Sequence, residues 1–133
     1  MIRRSNPAGL PSRRAHIYSQ VVRVDRPSAF IFVSGQVARD ENSNCVGIGD
    51  VAAQTEQVIQ NLKLALSAEG ATLDDLVKIT IFLTDFRHSP EVDKVRQRHF
   101  TASARLPVST MVEARKLASP DYLIEIEGIA VLS

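Results

Sequence analysis

The sequence predicts a single α+β domain whose strands and helices follow the order ββαβαββ, with both helices on one face of a mixed sheet. Three observations carry this expectation. The chain has 133 residues, one domain's length, and its 44% hydrophobic content builds a core without disulfide or metal support. Two segments carry the helical period, and the remainder alternates with period two. The helices are separated by a strand, and strand pairs joined by short turns flank them at both ends.

Residues 1–15 read as an irregular arm, because Pro7, Gly9 and Pro11 interrupt any regular element, and residues 16–133 as the folded domain. Tyr18–Asp25 alternates, Asp25–Ser28 turns, and Ala29–Val33 is strongly apolar, so the two runs are expected to pair as a hairpin ending near Ser34-Gly35-Gln36. After a polar loop, Val51, Thr55, Val58, Ile59, Leu62 and Leu66 share one helical face, with Gln54, Gln57 and Lys63 off it. Asp50 is placed to cap this helix and Gly70 to end it. In Leu76–Thr84, Val77, Ile79, Ile81 and Leu83 fall on one strand face. Ser89-Pro90-Glu91 starts a second helix running to about Phe100, with serine as N-cap and proline at the first position. Val108–Arg115 and Tyr122–Leu132 complete the strands around a turn at Ser119-Pro120-Asp121.

Sixteen basic against fifteen acidic residues leave a net charge of +1, which gives little general attraction to nucleic acid or anionic lipid. One cysteine, Cys45, excludes an internal disulfide and any thiolate cluster, and fits a reducing, cytoplasmic setting. No stretch approaches the roughly 20 apolar residues of a membrane span, and the N-terminus lacks a signal-peptide core. His16, His88 and His99 have no partner at metal-ligating spacing, so no metal or other cofactor is expected. His99 is expected to meet carbonyls at the end of its helix, and Arg96 and Arg98 to lie on a solvated face. Gly47-x-Gly49-x-x-Ala52 imitates a dinucleotide fingerprint, but Asp50 would set a negative charge where a pyrophosphate belongs. No Gly-x-Ser-x-Gly elbow is present, and nothing near Cys45 in sequence would activate its thiol.

The last strand holds the most informative pattern. Ile124 and Ile126 face the helices, whereas Leu123, Glu125, Glu127, Ile129 and Val131 mix aliphatic groups with carboxylates on the other face. Such a face suits a subunit interface containing a polar cleft. Glu125 has two readings. It is a rim carboxylate paired with an arginine, or a general acid/base set among Leu123 and the like-charged Glu127.

The chain resembles the Rid (YjgF/RidA) family from about Tyr18 onward. The resemblance rests on Tyr18-Ser19-Gln20, Phe32-Val33-Ser34-Gly35-Gln36, Ala53-Gln54-Thr55 with Asn61-Leu62-Lys63, Val77 to Asp85, and Leu123 to Ala130, in the family's order. It implies a chorismate-mutase-like subunit, a homotrimer around a central barrel, small-molecule clefts between subunits, and hydrolysis of reactive imines or enamines. Carried over by position, the water-activating glutamate is Glu125, and the substrate-binding positions are Tyr18, Gly35, Asp93, Ser109 and Met111. Asp93 stands where the deaminases often have asparagine, and Ser109 replaces the arginine that grips the substrate carboxylate. Met111 replaces a frequent cysteine.

Losing a charge-assisted pair worth about 1.5–3 kcal/mol weakens carboxylate capture roughly ten- to a hundredfold. Asp93 adds repulsion. The expectation is therefore a hydrolase of an imine or enamine other than an efficient 2-imino acid deaminase. The alternative is a non-catalytic ligand-binding or regulatory protein. Arg105 lies in the loop before Pro107, and Arg115 lies about 20 Å along the strand from Ser109. Neither occupies the missing position.

Overall fold

In a computed structural model describing all 133 residues, the chain runs β1 (Ile2–Ser5), β2 (Val21–Val24), β3 (Ala29–Gln36), α1 (Val51–Ser67), β4 (Leu76–Leu83), α2 (Ser89–His99), β5 (Val108–Glu113) and β6 (Ile124–Leu132). From β2 onward this is the expected ββαβαββ order. The main sheet has the strand order β3-β6-β4-β5. Strands β3 and β4 are each antiparallel to β6, hence parallel to each other, and β4 is parallel to β5.

Both helices therefore connect parallel strands, and both connections step in the same direction across the sheet. Right-handed crossovers of that kind lay both helices on one face. There α1 buries Val51, Val58, Ile59, Leu62 and Leu66, and α2 buries Val92 and Val95, against Ile79, Ile81, Leu83, Ile124 and Ile126. The Asp50 carboxylate caps α1 by accepting from the Ala53 N–H at 3.0 Å. Gly70 takes the left-handed φ of 73° beyond the helix end. In α2, His88 is the N-cap and Ser89 the first helical residue, one position earlier than expected.

Three expectations need correction. Gln54 is fully buried: its amide nitrogen donates to Asp121 O at 2.8 Å and Gly47 O at 3.1 Å, while its oxygen accepts from the Leu123 N–H at 2.8 Å. It fastens the β5–β6 connection to α1, so a polar side chain belongs in that core. The expected hairpin of β2 with β3 does not form. Ser28 N–H donates to Leu132 O, which commits β3 to β6 from its first residue.

Strand β2 pairs instead with β1, so residues 2–5 of the supposed irregular arm are a strand. Arg4 explains the difference. Its guanidinium donates to Leu106 O, Asp74 O and Leu76 O at 3.0–3.1 Å, so a residue that looks solvent-directed in sequence ties the arm to the domain.

The sheet face away from the helices is uncovered. Phe30 and Phe32 are 58% and 75% exposed there, and Val112 is exposed as well. Cross-strand pairing puts Glu125 beside Phe82, and Glu127 beside Thr80, on this same face. The mixed apolar and acidic surface read from the last strand is thus present, and β5 is an open sheet edge.

Candidate functional site

The sheet register decides where each site residue points. Ser109 and Met111 pair with Ile79 and Ile81, whose side chains are buried in the core, so both face the helix side of β5. Glu125 pairs with Phe82 and faces the opposite side. The residues singled out from sequence therefore separate into two groups across the thickness of the sheet.

The first group surrounds a cavity of about 360 Å³ lined by Tyr18, Ser109 and Met111, together with Arg14, Arg96, Phe86 and Ser89. Asp93 stands beside it as the anchor of both arginines. The Arg14 Nη2 donates to Asp93 Oδ2 at 2.5 Å, and the Arg96 Nη1 donates to Asp93 Oδ1 at 3.4 Å. The Arg96 Nη2 also donates to Ser109 Oγ at 3.1 Å and Ile17 O at 3.4 Å. Its Nε, buried, has no acceptor. Burial pushes the Arg96 guanidinium below its ordinary pKa. Asp93 pulls it back up, and Arg14 pushes it further down.

Two guanidinium groups share one carboxylate, so this corner has a net positive charge if all three groups are ionised. The repulsion of anions expected from Asp93 is neutralised on the spot. The position of Ser109 is bonded to a cation delivered from α2, while Arg105 and Arg115 are exposed and line no part of the cavity. Sequence reasoning missed Arg96 by assigning it to a solvated face. A signal existed: it lies four residues after Val92 and three after Asp93, on the stripe that α2 buries. Arg14 carried no such signal, since 79 residues separate it from its partner.

The second group is Gly35 and Glu125. A methyl group placed on Gly35 would lie 2.8 Å from both Cδ and Oε2 of Glu125, so the backbone of β3 is packed directly against the carboxylate. Glu125 is half-buried on the otherwise open face. Glu125 and Ser109 are on opposite sides of the sheet, so the chain by itself does not bring the two groups into one cleft.

The other titratable groups lie apart. His99 bridges Lys63 Nζ, 3.0 Å from its Nδ1, and Glu56 Oε2, 2.6 Å from its Nε2, on α1. It makes no contact with carbonyls at its own helix end, which corrects the expectation for it. No group of three His, Cys, Asp or Glu side chains converges at metal-ligating distance. Burial and the nearby Asp121 push the Cys45 thiol up, away from the reactive thiolate. No helix is long and apolar enough to cross a membrane.

The Endoribonuclease L-PSP family profile matches residues 11–132. The 3-aminoacrylate deaminase RutC of Acinetobacter baylyi is 35% identical over 124 residues, covering 93% of each chain. The crystal structure of YyfB from Yersinia pestis, a Rid-family protein of unknown function, superposes with a TM-score of 0.89 at 30% identity, covering 98% of each chain. Escherichia coli TdcF, solved with bound serine, superposes with a TM-score of 0.72 at 28% identity, covering 98% of this chain and 94% of that one.

Proposed function

Because the chain belongs to the Rid (endoribonuclease L-PSP) family, with its deaminase- and endoribonuclease-like activities, we propose that it hydrolyses a small imine or enamine in a cleft completed by a second copy of itself. The observation that carries this reading is the division of the site across the sheet. Tyr18, Ser109 and Met111 open to one side beside the exposed edge of β5, and Gly35 and Glu125 to the other, on a face bearing uncovered Phe30 and Phe32. A neighbouring copy that covers these surfaces sets one subunit's Glu125 against the other's cavity. A closed homotrimer satisfies this with three equivalent clefts.

In such a cleft an enamine first tautomerises to the imine, gaining a proton on carbon and losing one from nitrogen. Glu125 accepts a proton from water as the water oxygen bonds to the imine carbon. That proton passes to nitrogen to complete the carbinolamine; its hydroxyl proton then moves to nitrogen as the C–N bond breaks, and ammonia leaves a carbonyl product. Tyr18 orients the ligand, and the backbone N–H groups of the Ser109–Met111 region stabilise developing negative charge. A cavity near 360 Å³ fits a small metabolite, and RutC's 3-aminoacrylate is an enamine of that size. The near-neutral charge gives no comparable support for RNA cleavage. The lone unpaired cysteine fits placement in the reducing cytoplasm.

The test is turnover of freshly generated 2-iminobutanoate and 3-aminoacrylate by wild type and Glu125→Gln. The reading expects wild type to release ammonia and Glu125→Gln to lose at least about a hundredfold in kcat while still binding the product. Equal rates in the two proteins would remove Glu125 from the chemistry. Ligand binding without turnover in either would favour the non-catalytic alternative.

A further inference from the structure

Resting on that reading of the cleft, we propose that Arg96 and Arg14, clamped on Asp93, form an anion subsite that gives the protein selectivity for ligands bearing one carboxylate. The charge reaches the ligand from α2 and the N-terminal segment, with Ser109 as the contact on β5. This reverses the expectation drawn from the serine at position 109.

Four observations converge. Arg96 is 4% exposed, yet it lines the cavity, and a buried cation is kept only where neighbouring groups or a ligand compensate it. Its Nε finds no acceptor within the subunit. Asp93 offers one negative charge to two guanidinium groups, 2.5 and 3.4 Å away, so the corner is one negative charge short of balance. Ser109 Oγ accepts from Arg96, which leaves the serine's own hydrogen free to donate and makes it a stronger donor through the charge behind it. A ligand carboxylate supplies what is missing: one negative charge and acceptors for these donors.

The arrangement also sets limits on the ligand. One uncompensated charge suits a monoanion; a dianion would bring a charge the corner cannot match. Arg14 is the more solvent-exposed partner, its side chain being 45% exposed whereas that of Arg96 is 5% exposed. Arg14 therefore contributes less to affinity than Arg96, and more of its contribution is screened by salt.

The experiment is calorimetric binding of 2-oxobutanoate and of its uncharged amide to wild type, Arg96→Gln, Ser109→Ala and Arg14→Gln, with Glu125→Gln alongside. Wild type is expected to prefer the acid by about tenfold or more. That preference should fall to near unity in Arg96→Gln and fall severalfold in Ser109→Ala and Arg14→Gln, with affinity for the amide little changed. If Arg96→Gln does not fold, the Ser109→Ala and Arg14→Gln pair decides the matter. Equal affinity for acid and amide in wild type would overturn the subsite, as would an acid preference that survives all the substitutions. Glu125→Gln keeps the preference if the subsite is right, whatever happens to turnover. Turnover without acid preference would refute the subsite and leave the hydrolase; preference without turnover would do the reverse.

Discussion

Replacing Gly35 with alanine should cost catalysis much more than stability. The added methyl would sit 2.8 Å from Glu125 Cδ and Oε2, whereas carbon atoms in comfortable contact lie about 3.5–4.0 Å apart. The carboxylate must recede by roughly 0.7 Å or more to relieve the overlap. It can do so, because the groups in the way are the far end of a flexible, half-exposed side chain. A displaced Glu125 rotamer costs about 0.5–1.5 kcal/mol. Alanine returns about 0.4–1 kcal/mol by restricting the unfolded chain, since Gly35 does not occupy the left-handed region.

The net change in stability is then within about 1 kcal/mol, a difference of order 10² smaller than the folding terms it sits among. A reacting group displaced by about 1 Å loses up to about a hundredfold in rate, so a tenfold to hundredfold fall in kcat is expected. Ammonia release from 2-iminobutanoate and urea unfolding, measured on the same preparation, check both halves. Unchanged kcat with unchanged stability would refute the assignment of Gly35 and Glu125 to one reacting group. A loss of several kcal/mol would show that the contact is structural.

Further predictions follow from the packing and charges. Gln54→Leu removes three hydrogen bonds to the 47, 121 and 123 backbone; at about 1 kcal/mol each it should destabilise by about 3 kcal/mol, read from the urea midpoint, and a loss below about 1 kcal/mol would contradict its anchoring role. The Glu56 carboxyl is held below its ordinary value of 4.5 chiefly by the Arg98 hydrogen bond, against opposing burial and with help from His99. A lowered folded-state value means stability that is present above pH 4.5 and is lost as pH falls through the lowered value. The stability advantage of wild type over Glu56→Gln should therefore be level near neutrality and shrink in acid; an advantage that grows in acid would be the wrong sign. Phe32→Asp places a charge in the uncovered apolar face, and sedimentation velocity should show it shifting the protein to monomer, with wild type assembled; identical sedimentation of the two would place the interface elsewhere.

The parts of the fold readable from sequence were those where local pattern and tertiary burial agree. The Asp50 cap, the apolar stripe of α1 and the alternation through β4 each need only neighbouring residues to identify them. The failures involve polar groups satisfied from a distance. Arg4, with three carbonyl acceptors 70 to 102 residues away, turned an apparently irregular arm into a strand. Gln54 was set off the apolar face because its partners at 121 and 123 are invisible locally. The same blindness affected the candidate site. The charge beside Ser109 comes from α2, and the Arg14–Asp93 pair spans 79 residues. Sequence alternation did place Ser109 and Glu125 on different strands, yet only the register shows that they face opposite sides of one sheet.

The central claim is that the reacting site is shared between copies, with Glu125 from one and the Ser109 cavity from another. The direct test mixes two variants, each expected to be inactive alone. Glu125→Gln removes the carboxylate and leaves the cavity intact. Ser109→Trp fills the cavity and leaves Glu125 intact. The proteins are unfolded together in equal amounts, refolded and assayed for ammonia release from 2-iminobutanoate. In a cyclic assembly formed at random, one cleft in four joins an intact cavity to an intact Glu125, so the mixture should recover about a quarter of wild-type activity. A mixture as inactive as its components, from variants shown to co-assemble, would contradict a shared site.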